Sequence, residues 1–298
     1  EKRLVLAISL SFLVILVWSG LQPRPASKAT TMQTAAVLLP QPSQVKQEGK
    51  ITPLVEERKI PVRLDIFELI FSELQASIKE VSFKSSAADR LVLENGFLLG
   101  DKDWTFKKTF TSADRVVFVY EDSQKSISKT FIFNKLNYTI DLAIEVKNMS
   151  NLPLTLELPL ILGTLNFSSD PSQAPYLNFA VGLDDKTAHF NGRKNLALAN
   201  VKFLALRNRY YCAIFGAEKN LYPAFIEKIN GQQTEIGFQL KQPPLIPNQT
   251  WREKFTIYLG PQELKLINNI NPAWAGIIHY GTFDIISQIL LIFLEFLH

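Results

Sequence analysis

Short runs in which apolar and polar residues alternate fill the chain between Pro61 and Gly260. A period of two is typical of strands with one buried face, and Gly, Pro, Asn and Asp punctuate the runs. The clearest pair, Val62–Phe71 and Ser77–Lys84, predicts a hairpin that turns through Glu73–Ala76. Further strands are predicted at Leu91–Leu93, Trp104–Phe110, Arg115–Tyr120, Ser126–Asn134, Tyr138–Asn148, Leu154–Leu162, Lys202–Leu206, Tyr210–Phe215, Ala224–Ile229, Glu235–Gln239 and Thr250–Leu259. Many short strands without a long helix between them predict a mostly β fold, an antiparallel sandwich.

A continuous apolar run, Leu4–Leu21, follows Lys2 and Arg3 at the beginning of the chain. As a helix that rises about 1.5 Å per residue, this run would span about 27 Å, close to the roughly 30 Å of a hydrocarbon core. The two basic residues predict a cytoplasmic N-terminus. We therefore predict a transmembrane anchor over residues 1–21, whose membrane-anchoring residues include Leu4, Phe12 and Trp18.

A cleaved signal peptide is the alternative interpretation of the same run. The run is long for the apolar part of a signal peptide. Pro23 and Pro25 also crowd the position where a cleavage site of small residues would lie. Both features favour an uncleaved anchor.

Residues 22–60 mix Pro with Ser, Thr, Gln and Ala and keep no period of two or of 3.6. This composition predicts a disordered or extended tether between the anchor and the β domain. After the last strand, Gln262–Asn268 is predicted as a short helix, which Asn271-Pro272 would end.

The final stretch, Thr282–His298, is predicted as an amphipathic helix. Asp284, Gln288, Glu295 and His298 recur at helical spacing and form one polar stripe on an otherwise apolar surface. The stretch is too short and too polar to span a bilayer alone, so we expect it to lie in the membrane interface. Its predicted membrane-anchoring residues are Phe283, Ile286, Ile289, Leu290, Phe293 and Leu297. A helix packed into the core of the domain is the alternative.

Composition narrows the possible functions. The 298 residues carry a net charge of +4, and the basic residues are spread among acidic ones, which argues against a nucleic-acid partner. The single cysteine, Cys212, lies in an apolar run and is interpreted as a small buried hydrophobic residue. A Cys-rich zinc site and an intramolecular disulfide are both excluded by that count.

Catalytic signatures are missing from the sequence. There is no GxGxxG, P-loop, GxSxG or HExxH motif, so neither catalysis nor a cofactor or metal site is predicted. Asp184 or Asp185 with His189 could supply half of a metal site, but no third ligand is evident. A solvated turn over Gly182–Thr187 is the simpler interpretation of that stretch.

The order of these features resembles the YidC family of bacterial membrane protein insertases. The similar segments are Glu1–Ala7, Leu10–Leu13, Val62–Lys84, Asn208–Ala213, Tyr258–Pro261, His279–Phe283 and Ile286-Ser287. Tyr280-Gly281 after Gly260-Pro261 is the most discriminating part. In the first hairpin, Gln75-Ala76 stands where the family commonly has a pair of glycines.

The resemblance implies a periplasmic β-supersandwich over residues 61–260, similar to carbohydrate-binding and mutarotase-like folds. Residues 261–298 would then lead to the family's five-helix insertase core, which is expected after His298. The implied location is the bacterial inner membrane, with the main domain in the periplasm. The implied partners are the lipid bilayer, nascent membrane proteins and subunits of the Sec translocon.

Two functional hypotheses follow. The first is the N-terminal and periplasmic part of a membrane protein insertase and chaperone, which does no covalent chemistry and exploits the apolar burial of its client. The second is a self-contained, membrane-tethered binding protein or mutarotase-like enzyme on the same fold. A cleft with two carboxylates about 5–10 Å apart would favour the enzyme, and we predict that the structure lacks one.

Overall fold

The structure, a computed structural model, describes residues 57–84, 90–134, 137–169, 172–184 and 186–278. Strands dominate these ranges, and the pairs of neighbouring strands in all three sheets are antiparallel. The predicted mostly β, antiparallel fold is thus confirmed. The predicted anchor and the predicted helix Thr282–His298 lie outside the described residues, as does most of the tether. Among the helices that are described, none has the length and apolar content needed to cross a bilayer.

The first sheet has four strands in chain order and collects the beginning of the domain. Its strands are β1 (Lys59–Arg63), β2 (Phe67–Ser72), β3 (Ser77–Phe83) and β4 (Arg90–Gly96). Their inward-facing residues alternate with exposed ones as the period of two predicts.

The largest sheet has nine strands and forms the central layer on which the rest of the domain packs. In spatial order its strands are β12 (Thr187–Phe190), β11 (Asn178–Gly182), β14 (Phe203–Arg207), β15 (Tyr211–Ala217), β18 (Thr250–Pro261), β9 (Thr139–Asn148), β8 (Lys125–Phe133), β7 (Arg115–Glu121) and β6 (Lys107–Thr111).

The third sheet has five strands. In spatial order these are β13 (Leu196–Val201), β16 (Tyr222–Lys228), β17 (Gln233–Lys241), β10 (Glu157–Asn166) and β5 (Leu98–Leu99). The bulge in β10 between Ile161 and Gly163 shifts its register against β17.

Both smaller sheets pack against the same face of the nine-stranded sheet, which we call its inner face. Phe71 of the four-stranded sheet meets Phe131 of β8 with ring centroids 5.0 Å apart. Phe238 of the five-stranded sheet meets Phe215 of β15 at 5.2 Å. These rings are fully buried in one continuous core. Each such burial is worth about 1.5–3 kcal/mol, so this layer is the main source of stability.

The first predicted hairpin is correct at one end and wrong at the other. Its turn at Glu73–Ala76 is confirmed between β2 and β3, and Ala76 takes a left-handed φ of 47° there. The predicted single strand Val62–Phe71, however, is two strands, because the chain reverses where the Leu64 N–H donates to the Phe67 carbonyl at 2.9 Å. The reversal lets residues of both β1 and β2 face the core. The predicted tether also ends early, since β1 begins at Lys59.

The two-residue strand β5 was missed in the sequence, and so were β11, β12 and β13. The last three lie in a stretch where Gly, Asn, Asp and Lys interrupt the apolar residues, so no clean period of two stands out. Three other strands have boundaries misplaced by three or more residues. β4 ends at Gly96 rather than Leu93, β6 begins at Lys107 rather than Trp104, and β10 runs over Glu157–Asn166 rather than Leu154–Leu162.

The predicted short helix after the last strand is confirmed, displaced by two residues. It is α1, Leu264–Ile270, and it ends before Asn271-Pro272 as expected. A 3₁₀-helix, Pro272–Ile277, follows directly, and the Asn271 side chain caps it by accepting from the Ala273 N–H at 3.0 Å. A second 3₁₀-helix lies at Ala174–Tyr176.

Candidate functional site

The segment that follows the last strand folds back onto the outer face of the nine-stranded sheet. We call this segment, Leu264–Ile277, the C-terminal seat. Ile267, Trp274 and Ile277 bury their side chains there, against residues of β11, β14, β15 and β18. The seat therefore forms a second apolar core on the far side of the central sheet.

Trp274 is the largest side chain of the seat, and it is only 3% exposed. Its ring packs edge-on against Phe203 of β14, with centroids 6.4 Å apart. Gly216 of β15 gives it room, because a Cβ at that position would lie 3.2 Å from the Trp274 ring. No pattern in the sequence predicted a role for Trp274 in the fold.

Hydrogen bonds fix the course of the chain from β18 into the seat. The Tyr258 hydroxyl donates to the Pro261 carbonyl at 2.7 Å. The Gln262 amide donates to the Asn208 carbonyl at 2.7 Å and accepts from Arg207 at 3.2 Å. These contacts join the end of β18, Tyr258–Pro261, to the turn that precedes β15. Two of the segments that carried the family resemblance therefore meet here.

His189 and Asp184, which the sequence offered as half of a metal site, make other contacts in the structure. His189 lies on β12, and its Nε2 donates to the Gly276 carbonyl of the seat at 3.0 Å. The Asp184 carbonyl accepts from the Lys202 ammonium at 2.6 Å in a turn, as the simpler interpretation predicted, and Asp185 lies outside the described residues. Across the described ranges, no three His, Cys, Asp or Glu side chains form a group that could hold a metal ion.

Cys212 faces the seat from β15 and is completely buried. Burial raises the pKa of its thiol to about 12, so the nucleophilic thiolate is scarce at neutral pH. The prediction of a small buried hydrophobic residue is confirmed.

Lys129 is a completely buried lysine on the inner face of β8. Its ammonium donates to the carbonyls of Ala76 and Phe97, each at 2.5 Å, and lies over the rings of Phe106 and Phe131. Ala76 and Phe97 both have left-handed backbone, with φ of 47° and 60°. Lys129 thus ties two strained corners to the central sheet, and burial lowers its pKa to about 7.

A groove of about 400 Å³ lies between β4, the end of β10 and the turn before β15. Glu94 is the only carboxylate among the described residues that line it, and Glu94 accepts from the Gln233 amide at 3.1 Å. Burial raises the pKa of Glu94 despite the attraction of Lys79, and the charge of Glu235 adds to the rise.

Glu235 lies next to this groove without lining it. Its carboxylate accepts from Asn95 at 3.0 Å, from Thr164 at 3.1 Å and from Lys102 at 3.2 Å. These donors tie the Glu235 carboxylate to β4, through Asn95, and to β10, through Thr164. The groove is therefore lined by one carboxylate, that of Glu94 with its raised pKa, and not by two.

The predicted membrane-anchoring residues cannot be located in the fold. They are Leu4, Phe12, Trp18, Phe283, Ile286, Ile289, Leu290, Phe293 and Leu297, and all lie outside the described residues. Sequence reasoning missed Trp274, Lys129 and Glu94, although Lys129 could have been noticed because it breaks the apolar face of β8.

Comparison with known proteins gives a family and a fold. A family model described as the YidC periplasmic domain matches residues 77–293. A membrane protein insertase YidC from Geotalea uraniireducens is 24% identical over a 355-residue alignment that covers 100% of this chain and 64% of the relative. One from Cupriavidus taiwanensis is 24% identical over 198 residues, covering 62% of this chain and 35% of the relative. The chain thus spans less than two thirds of the length of either relative.

Two solved structures share the fold at very low sequence identity. A galactose mutarotase-like protein from Lactobacillus casei has a TM-score of 0.51 and 9% identity, covering 68% of this chain and 100% of that one. A galactose mutarotase related enzyme from Lactobacillus acidophilus has a TM-score of 0.51 and 7% identity, covering 68% of this chain and 97% of that one. At such identities the likeness concerns the fold alone.

Proposed function

The chain belongs to the YidC family, and we propose that it is the N-terminal and periplasmic part of a membrane protein insertase and chaperone. In this proposal it helps to insert and fold inner-membrane proteins, alone or with the Sec translocon. Its partners are the lipid bilayer, nascent membrane proteins and Sec subunits. No covalent step is involved, because the free energy of an apolar client segment falls when it leaves water for lipid.

The C-terminal seat is the observation that carries the proposal. The family match continues through the seat to residue 293. The seat is held by its own apolar core and by the His189 contact to the Gly276 carbonyl, and Gln262 just before it is bonded to the turn before β15. In this proposal, the seat sets the point at which the chain leaves the domain, at residue 278. A loosely tethered binding domain would need no such fixing.

The proposed organisation follows from this path. Residues 1–21 are the transmembrane anchor, the tether runs from residue 22 to the first strand at Lys59, and the periplasmic supersandwich extends from there to residue 260. Residues 261–298 comprise the seat and an interfacial helix that leads to the insertase core. The membrane-anchoring residues are those named above at the two ends of the chain.

Topology is the first test, and the chain offers a clean probe. A Cβ at Gly231 would meet nothing within 4 Å, so Gly231→Cys adds an accessible thiol to a chain whose own Cys212 is buried. A membrane-impermeant maleimide should label this variant in intact cells with permeabilised outer membranes, while the unchanged chain stays unlabelled. Labelling that requires lysis of the inner membrane would overturn the proposed location.

The second test measures membrane insertion, with the full-length gene in the bacterium from which it comes. Depletion of the protein should leave short client membrane proteins accessible to protease, and the unchanged gene should restore their protection. Trp274→Ala should restore it less well, whereas Ile132→Ala, on an exposed part of the same sheet, should restore it fully. Normal insertion in depleted cells would refute the proposal.

Glu94 is the one observation that favours the second hypothesis, a binding protein or mutarotase-like enzyme. A half-buried carboxyl with a raised pKa, on left-handed backbone with φ of 55°, is the kind of group that acts in proton transfer. The purified chain should then accelerate the interconversion of galactose anomers, and Glu94→Gln should abolish the acceleration. We expect no acceleration by the unchanged chain or by Glu94→Gln. That result would exclude the mutarotase-like enzyme and leave the insertase proposal in place.

A further inference from the structure

Each sheet has two edge strands in the part of the chain described, and most of them are protected. The β1 edge carries Lys59, Pro61 and Arg63, and the β6 edge carries two lysines and a bulge. Charges, proline and bulges are the usual devices that prevent an edge from pairing with another chain. The β5 edge is two residues long, β4 packs against β10, and β12 is held against the seat.

β5 and β12 also lack charge and proline, but β5 has only two residues and β12 is held against the seat. The edge strand β13, Leu196–Val201, lacks both devices and has six residues. The bulge of β13, between Leu198 and Val201, protects only the end of this edge, and the stretch from Leu196 to Leu198 before it pairs regularly with β16. The exposed edge of this stretch is therefore flat and uncharged, which is the form that accepts an added strand.

The hydrogen-bonding direction of β13 follows from its neighbour. The Lys228 N–H of β16 donates toward β13, to the Asn195 side chain at 3.0 Å. Residues of β16 with the same parity, Ile226 and Ala224, therefore face Leu196 and Leu198 across the pair. The backbone N–H and C=O of Ala197 consequently point away from the sheet, toward a strand that could add there.

Beside this edge lies a shallow apolar hollow of about 700 Å³ on the outer face of the five-stranded sheet. Its apolar lining includes Ala197, Ala199, Pro223 and Phe225, and the polar residues that line it are Glu227, Gln239 and Lys241. The Phe225 ring lies over Gly237, where a Cβ would come within 2.7 Å of it. An added strand could place alternate apolar side chains along this hollow.

Charge at the ends of β13 selects between two occupants. Arg193 and Lys194 precede the strand and Lys202 follows it, all of them exposed. A second copy pairing antiparallel would bring Lys202 of one chain against Arg193 and Lys194 of the other. That repulsion disfavours self-pairing and favours a strand with acidic residues at both ends.

We propose that β13 binds, by strand addition, an extended segment of a client polypeptide in which apolar residues alternate and acidic residues flank the run. That the bound segment comes from a client polypeptide rests on the proposed function. The surface itself is defined by the outward backbone of Ala197, the adjoining hollow and the basic residues at both ends.

Synthetic peptides test the proposal on the purified full chain in detergent. The probe is a fluorescent peptide of alternating Val and Thr with Glu at both ends, and its matched control has Lys at both ends. Fluorescence anisotropy should show saturable binding of the Glu peptide and at least about tenfold weaker binding of the Lys peptide, the factor that corresponds to about 1.4 kcal/mol. Equal binding of both peptides would overturn the charge argument and the proposal with it.

Backbone variants test the edge itself. Ala197→Pro removes the outward N–H without removing a bond to β16, and it should weaken binding at least about tenfold. Ala197→Thr keeps the N–H and raises strand propensity, so it should bind as the unchanged chain does. Unchanged binding by Ala197→Pro would overturn the proposal.

Lys194→Glu keeps the test decisive if the proline variant does not fold, since it should shift preference toward the Lys peptide. Self-association of the unchanged chain that Ala197→Pro abolishes would assign the edge to a second copy, against the proposal. Lost peptide binding with normal client insertion would refute this inference alone. Lost insertion with intact peptide binding would refute the proposed function alone.

Discussion

The outer face of the nine-stranded sheet is covered at β15 and open at β8. At β15, Cys212, Ile214 and Gly216 are buried beneath the seat. At β8, Ser128 and Thr130 are half-buried and Ile132 is 41% exposed. The two strands share one sheet and one inner core, so the difference comes from what packs on the second face.

Their sequences record this difference. The β15 sequence YCAIFGA is apolar throughout, as expected for a strand buried on both faces, whereas KSISKTFIF of β8 alternates. A strand that is apolar throughout, within an antiparallel sheet, therefore predicts that another element of the chain packs on its second face. Here that element is the seat.

Truncation of Trp274 should break this comparison with the largest effect. Trp274→Ala removes a buried indole and leaves a cavity over β15, so we expect a loss of about 3–5 kcal/mol in the free energy of unfolding. Urea titration followed by circular dichroism measures it. The matched control, Ile132→Ala on the open part of β8, should change stability by less than about 1 kcal/mol. Equal losses in both variants would mean that the seat contributes no core of its own.

Much of the fold could be predicted from the sequence, because most strands bury one face and so keep a period of two. The predicted strands over β7, β8, β9 and β18 lie within one or two residues of those observed. The stretch from Asn178 to Val201 could not be predicted, because polar residues and glycines interrupt its apolar positions and because β13 pairs with β16 rather than with the strands next to it in sequence.

The candidate surfaces were harder to predict than the fold. Trp274 lies on a short 3₁₀-helix with no repeating pattern, and its role depends on Gly216, far away along the chain. The Glu94 groove likewise joins β4 to β10 and to the turn before β15. Such juxtapositions depend on topology, which local periodicity does not encode.

Lys129 offers the next test, because it stands on the face of β8 that the alternation predicts to be apolar. Its pKa falls from 10.5 to about 7 on folding, so the unfolded chain binds more protons between those values. Stability should therefore rise with pH above about 7, by at most about 1.4 kcal/mol per pH unit, and be constant below it as far as Lys129 is concerned.

The measurement compares urea titrations of the unchanged chain and of Lys129→Met from about pH 6 to about pH 9. Lys129→Met should lack the added slope above about pH 7, because it has nothing to titrate there. Parallel pH profiles would show that Lys129 has the same pKa in the folded and unfolded chains.

Cys212 reports on local opening of the seat, with a smaller expected effect. Ile277→Val thins the packing of the seat, which should cost about 0.5–1.5 kcal/mol and speed reaction of the buried thiol by up to about tenfold. Ile127→Val makes the same change in the inner core under β8. Reaction with a thiol reagent at low denaturant should speed up only for Ile277→Val. If both variants react equally fast, the seat opens only with global unfolding.

Gly216→Ala should have the smallest effect and tests how tightly the covered face is packed. The added Cβ would lie 3.2 Å from the Trp274 ring and 3.4 Å from Phe203, so the seat must move by a few tenths of an ångström. We expect a loss of about 1 kcal/mol, at the low end for overpacking. Gly231→Ala, whose Cβ meets nothing within 4 Å, is the matched control and should be neutral or stabilising by up to about 1 kcal/mol. A neutral Gly216→Ala would mean that the seat can shift on β15 at no cost, and the fixed exit on which the proposed function rests would then lose its support.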